Sequence, residues 1–198
     1  MPIFLWLIII FLIAFISKKI FPKKKELIRK IVHIGTGPII PLAWWLNLSK
    51  ESAIGLASII TILLVVNHRS RLLPAIEDVP RKSFGTIAYG LSITILIMLF
   101  WPEHASAVTA GVLVMAFGDG LAGLIGKEIK SQNWKIFGQQ KSVAGTLTMG
   151  LIGAIVLFSI NAITGQQLGV IHVFTISSLA VILEQISFWG IDNLTVPI

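Results

Sequence analysis

The chain has 198 residues, of which 55% are hydrophobic and 13% charged, and its mean hydropathy is strongly positive. That excludes an ordinary soluble domain and points to a polytopic membrane protein. It contains no cysteine, so a disulfide framework and a thiolate metal site are excluded too. The net charge of +7 would suggest nucleic acid in a soluble chain, but here the placement of the charges matters more than their sum.

The first apolar run, Ile3 to Ile16, lacks a basic leader and a small-residue cleavage site, and lysines follow it. It reads as a retained first span rather than a signal peptide, with Lys18 and Lys19 snorkelling to the interface. Seven spans are expected in all, at about 3–17, 31–48, 52–67, 84–101, 105–126, 143–163 and 169–189. The fold class expected is therefore an all-α integral membrane helix bundle, with 1–198 forming a single transmembrane domain. The connector Lys18–Lys30 is basic. Asn67–Ser83 carries Arg69, Arg71, Arg81 and Lys82, and Lys127–Lys141 carries four lysines. With alternating sides, fifteen of the sixteen Lys and Arg residues fall on one side and only Lys50 on the other. The positive-inside rule then puts the N-terminus outside and the basic loops in the cytoplasm, or in the stroma of a plastid.

The polar residues within or beside the spans map to that same side. They are Arg29, Lys30 and His33; Asn67, His68 and Arg69; Arg81, Lys82 and Ser83; Asp119; Lys141, Ser142 and Thr146; and Glu184, Asp192 and Asn193. Asp119 stands out, because an acid inside a membrane helix is expensive and marks a functional site by default. It lies between Gly118 and Gly120, and Ala122, Gly123 and Gly126 follow. A carboxylate, small residues, a lysine and hydroxyls are the parts needed to hold a metal-bound polyphosphate. Asp119 and Glu184, each eight residues before a charged helix end, could face each other at one depth.

Plainer readings stand beside these. Glycines in membrane helices usually let a neighbour approach closely. Lys18–Lys30 serves as an orientation signal, Arg81–Lys82 as a solvated flank, and Glu184 as the partner of a basic residue. His33 either bonds a carbonyl or transfers a proton. Gly35, Gly37 and Pro38 kink the second span or unwind it to line a cavity. The six tryptophans are read mostly as interfacial anchors. The string GDGLAG matches a dinucleotide fingerprint, but no strand precedes it and the match is rejected. No Walker A loop and no soluble-kinase signature is present.

Five segments in order, RKIVHIGTGPIIP (Arg29–Pro41), RKSFGTIAYGLS (Arg81–Ser92), AFGDGLAGLIGK (Ala116–Lys127), KSVAGTLTM (Lys141–Met149) and EQISFWGIDNLTVPI (Glu184–Ile198), resemble the polyprenol kinase family. That family includes dolichol kinases, phytol kinases and CTP-dependent diacylglycerol kinases, and the short chain with its R-K-x-x-H opening is most similar to phytol kinase. The resemblance implies transfer of the γ-phosphoryl of CTP or UTP to an isoprenoid alcohol, most simply phytol, in a bacterial, thylakoid or plastid membrane. The phytyl phosphate formed would feed tocopherol or phylloquinone synthesis. Mg²⁺ would be held by Asp119, Glu184 and Asp192. Asp119, Lys141 and His33 would be catalytic. Arg29, Lys30, Arg81, Lys82, Gly120, Ser142, Gly145, Thr146 and Asn193 would bind the nucleotide.

Two departures from the family pattern matter. Ala144 stands where many relatives have glutamate, so a metal ligand would have to come from elsewhere. The chain stops at DNLTVPI, where relatives usually continue into another span, and Asp192 is then expected to be poorly held. The residues also admit a cytidylyltransferase acting on a lipid phosphate. A transporter or non-catalytic lipid-binding protein is a third reading, disfavoured because the polar residues crowd one side and no inverted repeat is visible.

Overall fold

The computed structural model describes residues 2–70 and 83–198, so Arg81 and Lys82 lie outside the described residues. Most of the described residues are helical. Helix α1 (Pro2–Ile20) is apolar on all sides, and its 19 residues give about 28 Å, close to the thickness of a bilayer core. Helix α2 (Lys25–Thr36) turns Ile28, Lys30, Val32 and His33 inward. The chain breaks at Gly37–Pro38 and resumes as α3 (Ile39–Trp45). The expected second span is thus two short helices. The break has a local cause, because proline removes a backbone donor and crowds the preceding turn. An added Cβ on Gly37 would also meet Ala116 across the packed interface.

Helix α4 (Lys50–Ser70) follows, then α5 (Gly85–Phe100). Helix α6 (Ala105–Leu113), a π-helical turn (Val114–Asp119) and α7 (Gly120–Glu128) form one 24-residue run, the most buried of the long helices. Helices α8 (Val143–Thr164), α9 (Val170–Ile186) and the short α10 (Asp192–Thr195) complete the fold. Four runs among the described residues are long and apolar enough to cross a membrane: α1, α4, α6–α7 and α8. The shorter α5 and α9 are also apolar. Large apolar side chains such as Ile62, Leu147, Leu151 and Ile171 point outward, as a lipid-facing surface requires.

The segment 127–141, expected as a polar loop, contains a β-hairpin. Strand β1 (Asn133–Ile136) pairs antiparallel with β2 (Gln139–Ser142), with Trp134 opposite Lys141. Both turn residues, Phe137 (φ 47°) and Gly138 (φ 77°), have positive φ, which matches the right-handed twist of a two-residue hairpin. The tryptophans also depart from expectation. Trp101 is only 1% exposed and donates to the Leu48 carbonyl at 2.8 Å, while Trp6 donates to the Gly35 carbonyl at 2.8 Å. These two clip helices together. Trp45 and Trp189 are exposed.

Candidate active site

The π-helical turn ends on Asp119. A π turn shifts the following residues round the helix axis, and such turns are frequent at functional sites. Here it faces α2. Lys30 Nζ donates to Asp119 Oδ2 at 2.7 Å and to the Asp119 carbonyl at 3.0 Å. His33 Nε2 stands 3.4 Å from the same carboxylate oxygen, long for a hydrogen bond, and makes none within the described residues. Its ring rests against Tyr89, centroids 4.8 Å apart. Lys30, His33 and Asp119 are all buried. Gly120 and Gly123 make this approach possible: a Cβ on Gly120 would collide with Ile34, and one on Gly123 with the Lys30 chain. At these positions the close-packing reading of the glycines holds.

A second ion pair forms where the hairpin meets α9. Lys141 Nζ donates to a Glu184 carboxylate oxygen and, at 2.8 Å, to the Glu184 carbonyl. The other Glu184 oxygen accepts from Gln185 Nε2 at 2.8 Å. Gln185 also donates to Thr146 Oγ1 at 3.0 Å, and Trp134 Nε1 donates to Gln185 Oε1 at 3.3 Å. Ser142 is the N-cap of α8: its Oγ accepts from the Gly145 N–H at 3.1 Å and donates to the Gly126 carbonyl at 3.2 Å. Val143 N–H donates to the Gln132 carbonyl, and Ala144 N–H to Ser131 Oγ. The first turn of α8 is therefore capped from within the protein. Ser142, Gly145 and Thr146 hold Lys141 in place, and their polar groups already have partners. Glu184 matches its plainer reading as the partner of a basic residue.

Between the two pairs lies Asp192. Its carboxyl is within electrostatic reach of Asp119, Glu184, Lys30 and Lys141, and Arg29 reaches both Asp119 and Asp192. The expectation that Asp192 is poorly held is not met. The Asp192 N–H donates to Ser187 Oγ at 2.6 Å, Asn193 Nδ2 donates to the Gly85 carbonyl at 2.8 Å, and Pro197 packs on Gly111 so tightly that a Cβ there would collide with its carbonyl. Asp119 and Glu184 do not pair off as a two-carboxylate site, since each engages a lysine. Among the described residues no three His, Asp or Glu side chains gather as a ready metal cage. Arg29 donates to Glu26 at 2.7 Å.

Five buried side-chain polar atoms among the described residues lack a hydrogen-bond partner, and four of them are here: Arg29 Nε, His33 Nε2, Asp192 Oδ1 and Asn193 Oδ1. Leaving such groups unpaired costs roughly 1–3 kcal/mol each, so their convergence points to a ligand. Arg29, His33 and Asn193 also line a cavity of 460 Å³ that is otherwise almost wholly apolar. Tyr89, which the sequence reading left out, lines it too and supports the His33 ring.

The fold and site describe a helical, membrane-type protein in which a buried ionic cluster meets an apolar cavity. Comparison with known proteins narrows this. A phytol kinase of Synechocystis sp. is 39% identical over 176 residues, covering 87% of this chain and 76% of its own length. Phytol kinase 1, chloroplastic, of Arabidopsis thaliana is 24% identical over 198 residues, covering 88% of this chain and 64% of its own length. The Arabidopsis farnesol kinase, chloroplastic, is 28% identical over 141 residues, 65% of this chain and 45% of its own length. No family model and no solved structure matches the chain. The chain belongs to the polyprenol kinase family, on its phytol kinase side.

Proposed function

We propose that this protein transfers the γ-phosphoryl group of CTP, or UTP, to the primary hydroxyl of an isoprenoid alcohol, with phytol the leading acceptor. The observation that carries the reading is that three residues with unpartnered buried polar atoms, Arg29, His33 and Asn193, line one end of an apolar cavity. A greasy alcohol needs such a cavity, and a phosphoryl donor needs such a charged end. The relatives named phytol kinase and farnesol kinase support the acceptor class.

The alcohol oxygen attacks the γ-phosphorus. The new O–P bond forms as the bond from that phosphorus to the β-phosphate oxygen breaks, and the nucleoside diphosphate leaves. The hydroxyl proton passes to His33 Nε2, which makes no hydrogen bond among the described residues, and Asp119, whose Oδ2 lies 3.4 Å away, stabilises the imidazolium. Lys30, Lys141 and Arg29 neutralise charge on the phosphates. Arg29, Lys30 and Lys141 are already paired with Glu26, Asp119 and Glu184, and Asp192 adds a further carboxylate, so an incoming polyphosphate needs a cation of its own. The free oxygens of Asp192 and Asn193 suit Mg²⁺, which binds through one or two carboxylates and the substrate phosphates rather than in a protein cage. When bound, the metal would offset phosphate charge. Asp192 and Asn193 would hold it, with Asp119 the alternative ligand.

The seven-span topology, with the N-terminus outside and the site facing the cytoplasm or stroma, belongs to the same proposal. It rests on the one-sided distribution of Lys and Arg. Broken α2–α3 then counts as one span.

The test is label transfer in membranes containing this chain, with CTP labelled at the γ- or the α-phosphate, Mg²⁺, and phytol, dolichol and diacylglycerol as acceptors. Label is expected to pass from the γ position into phytol. Transfer from the α position alone would make the protein a cytidylyltransferase and overturn the kinase reading, and so would no transfer at all. Asp192→Asn is expected to raise the Mg²⁺ concentration needed for half-maximal activity while leaving thermal stability in detergent unchanged.

A further inference from the structure

The 460 Å³ cavity has two ends of opposite character. One is the ionic site, with Arg29, His33 and Asn193. The other is the turn between α3 and α4, where Ala43, Leu48 and Ala53 form the wall. Helices α1, α2, α3, α4 and α5 run between these ends. On α2–α3 the walls extend from His33 to Ala43, on α4 from Asn67 back to Ala53, on α5 from Thr86 to Ile97, and on α1 from Phe11 back to Ile3. Eight to fourteen helical residues correspond to about 12–21 Å. The cavity is therefore a long slot rather than a bowl. Its open side lies between α1 and α4: Phe4 and Phe11 of α1 and Ile59 and Leu63 of α4 line it and are also exposed outward. Helix α1 packs on α2 and α3 while α4 packs on α5, leaving the slot between the two pairs.

We infer that this slot takes the isoprenoid tail of the alcohol, admitted sideways from the bilayer between α1 and α4, and that Ala43 and Ala53 set the length of chain accepted. The inference rests on the proposed kinase reading for the identity of the tail. An alcohol whose hydroxyl reaches His33 has its tail directed along the apolar lining toward the α3–α4 turn, the far end of the same cavity. The wall there is built from small residues. Ala43 and Ala53 are both buried, and each borders open volume that a larger side chain would fill. A bilayer acyl chain could enter the same opening, but it carries no terminal hydroxyl to bring to His33.

The experiment has two readouts. In the first, kcat/KM is measured for the fifteen-carbon farnesol and the twenty-carbon phytol and geranylgeraniol. Ala53→Phe and Ala43→Leu are expected to shift the ratio about tenfold or more toward farnesol, as pocket size discriminates by methylene count. Leu48→Ala is expected to shift it the other way. Leu151→Phe, on the outer face of α8, should leave the ratio alone. Unchanged ratios in all three cavity variants would overturn the inference even though the kinase reading stood. The second readout needs no catalysis. A prenol with a photoreactive group at its tail should label the α3–α4 turn of the wild-type protein, and the twenty-carbon probe should lose that labelling in Ala53→Phe. Labelling spread over the outer faces of α8 and α9 would overturn the slot, whereas labelling at the turn without phosphoryl transfer would keep the slot and reject the kinase.

Discussion

The two buried lysine–acid pairs have the same chemistry and opposite surroundings. Around Lys141–Glu184 the bonding is finished: Gln185 takes the second carboxylate oxygen, Thr146 and Trp134 hold Gln185, and Ser142 caps the helix that follows. Around Lys30–Asp119 it is unfinished: His33 Nε2 and Arg29 Nε have no partner, and both residues border the cavity. A buried ion pair alone is weak evidence for catalysis, because it also arises wherever a structure must satisfy a charge. What distinguishes the reacting side is the set of polar atoms still waiting for a partner.

The largest effect expected from breaking this symmetry is at Asp119. Asp119→Asn removes the counter-ion of Lys30 and the support of His33, and activity should fall about a thousandfold or more. The change also strands a buried lysine, which destabilises by about 3–5 kcal/mol. The double variant Asp119→Asn/Lys30→Met separates the two effects. Its thermal stability should recover toward wild type, and its activity should not. Recovery of activity would assign the pair to structure alone.

Next in size is the other pair. Lys141→Ala leaves Glu184 buried and unpaired and should cost a similar 3–5 kcal/mol of stability. Pairing it with Glu184→Gln should restore the stability. If Lys141 also neutralises the polyphosphate, the apparent KM for the nucleotide stays raised in the double variant while KM for the alcohol does not move. An unchanged nucleotide KM would confine Lys141 to the scaffold.

The sequence made one side of this contrast easier to read than the other. That acids, lysines and hydroxyls crowd one end of the bundle was legible, because charged residues in an apolar chain can only sit near helix ends or in pairs. Asp119 was legible for the same reason. Its partner was not: Lys30 is 89 residues away, and nothing local in either segment encodes the pairing. The π turn was hidden because VMAFGD reads as ordinary helix, and its one glycine, Gly118, is common in membrane helices and does not mark an extra residue. The hairpin was hidden because only β1 alternates, through Trp134 and Ile136, while QQK is polar throughout and the turn lacks the Asn-Gly pair that usually announces one. The slot was invisible for a deeper reason. Ala43 and Ala53 sit in apolar runs that look alike whether they face lipid, protein or a substrate.

The smallest predicted effect tests the finished side most directly. The motif K-S-x-x-G-T suggests a phosphate loop, and the resemblance assigns Ser142, Gly145 and Thr146 to the nucleotide. Yet the Ser142 hydroxyl accepts from Gly145 N–H and donates to the Gly126 carbonyl, and Thr146 Oγ1 donates to the Ser142 carbonyl at 2.9 Å while accepting from Gln185. A hydroxyl so engaged contributes as a helix cap, worth about 1 kcal/mol. Ser142→Ala should therefore lower thermal stability by that order and leave the nucleotide KM within about twofold of wild type, since RT is about 0.6 kcal/mol and a lost phosphate contact would show as a larger change. Ser142→Asp retains a capping acceptor but cannot donate to the Gly126 carbonyl, so it should lower the stability as well. A large rise in nucleotide KM for Ser142→Ala would mean that the cap opens when the nucleotide binds, and would move Ser142 from the finished side of the site to the reacting one.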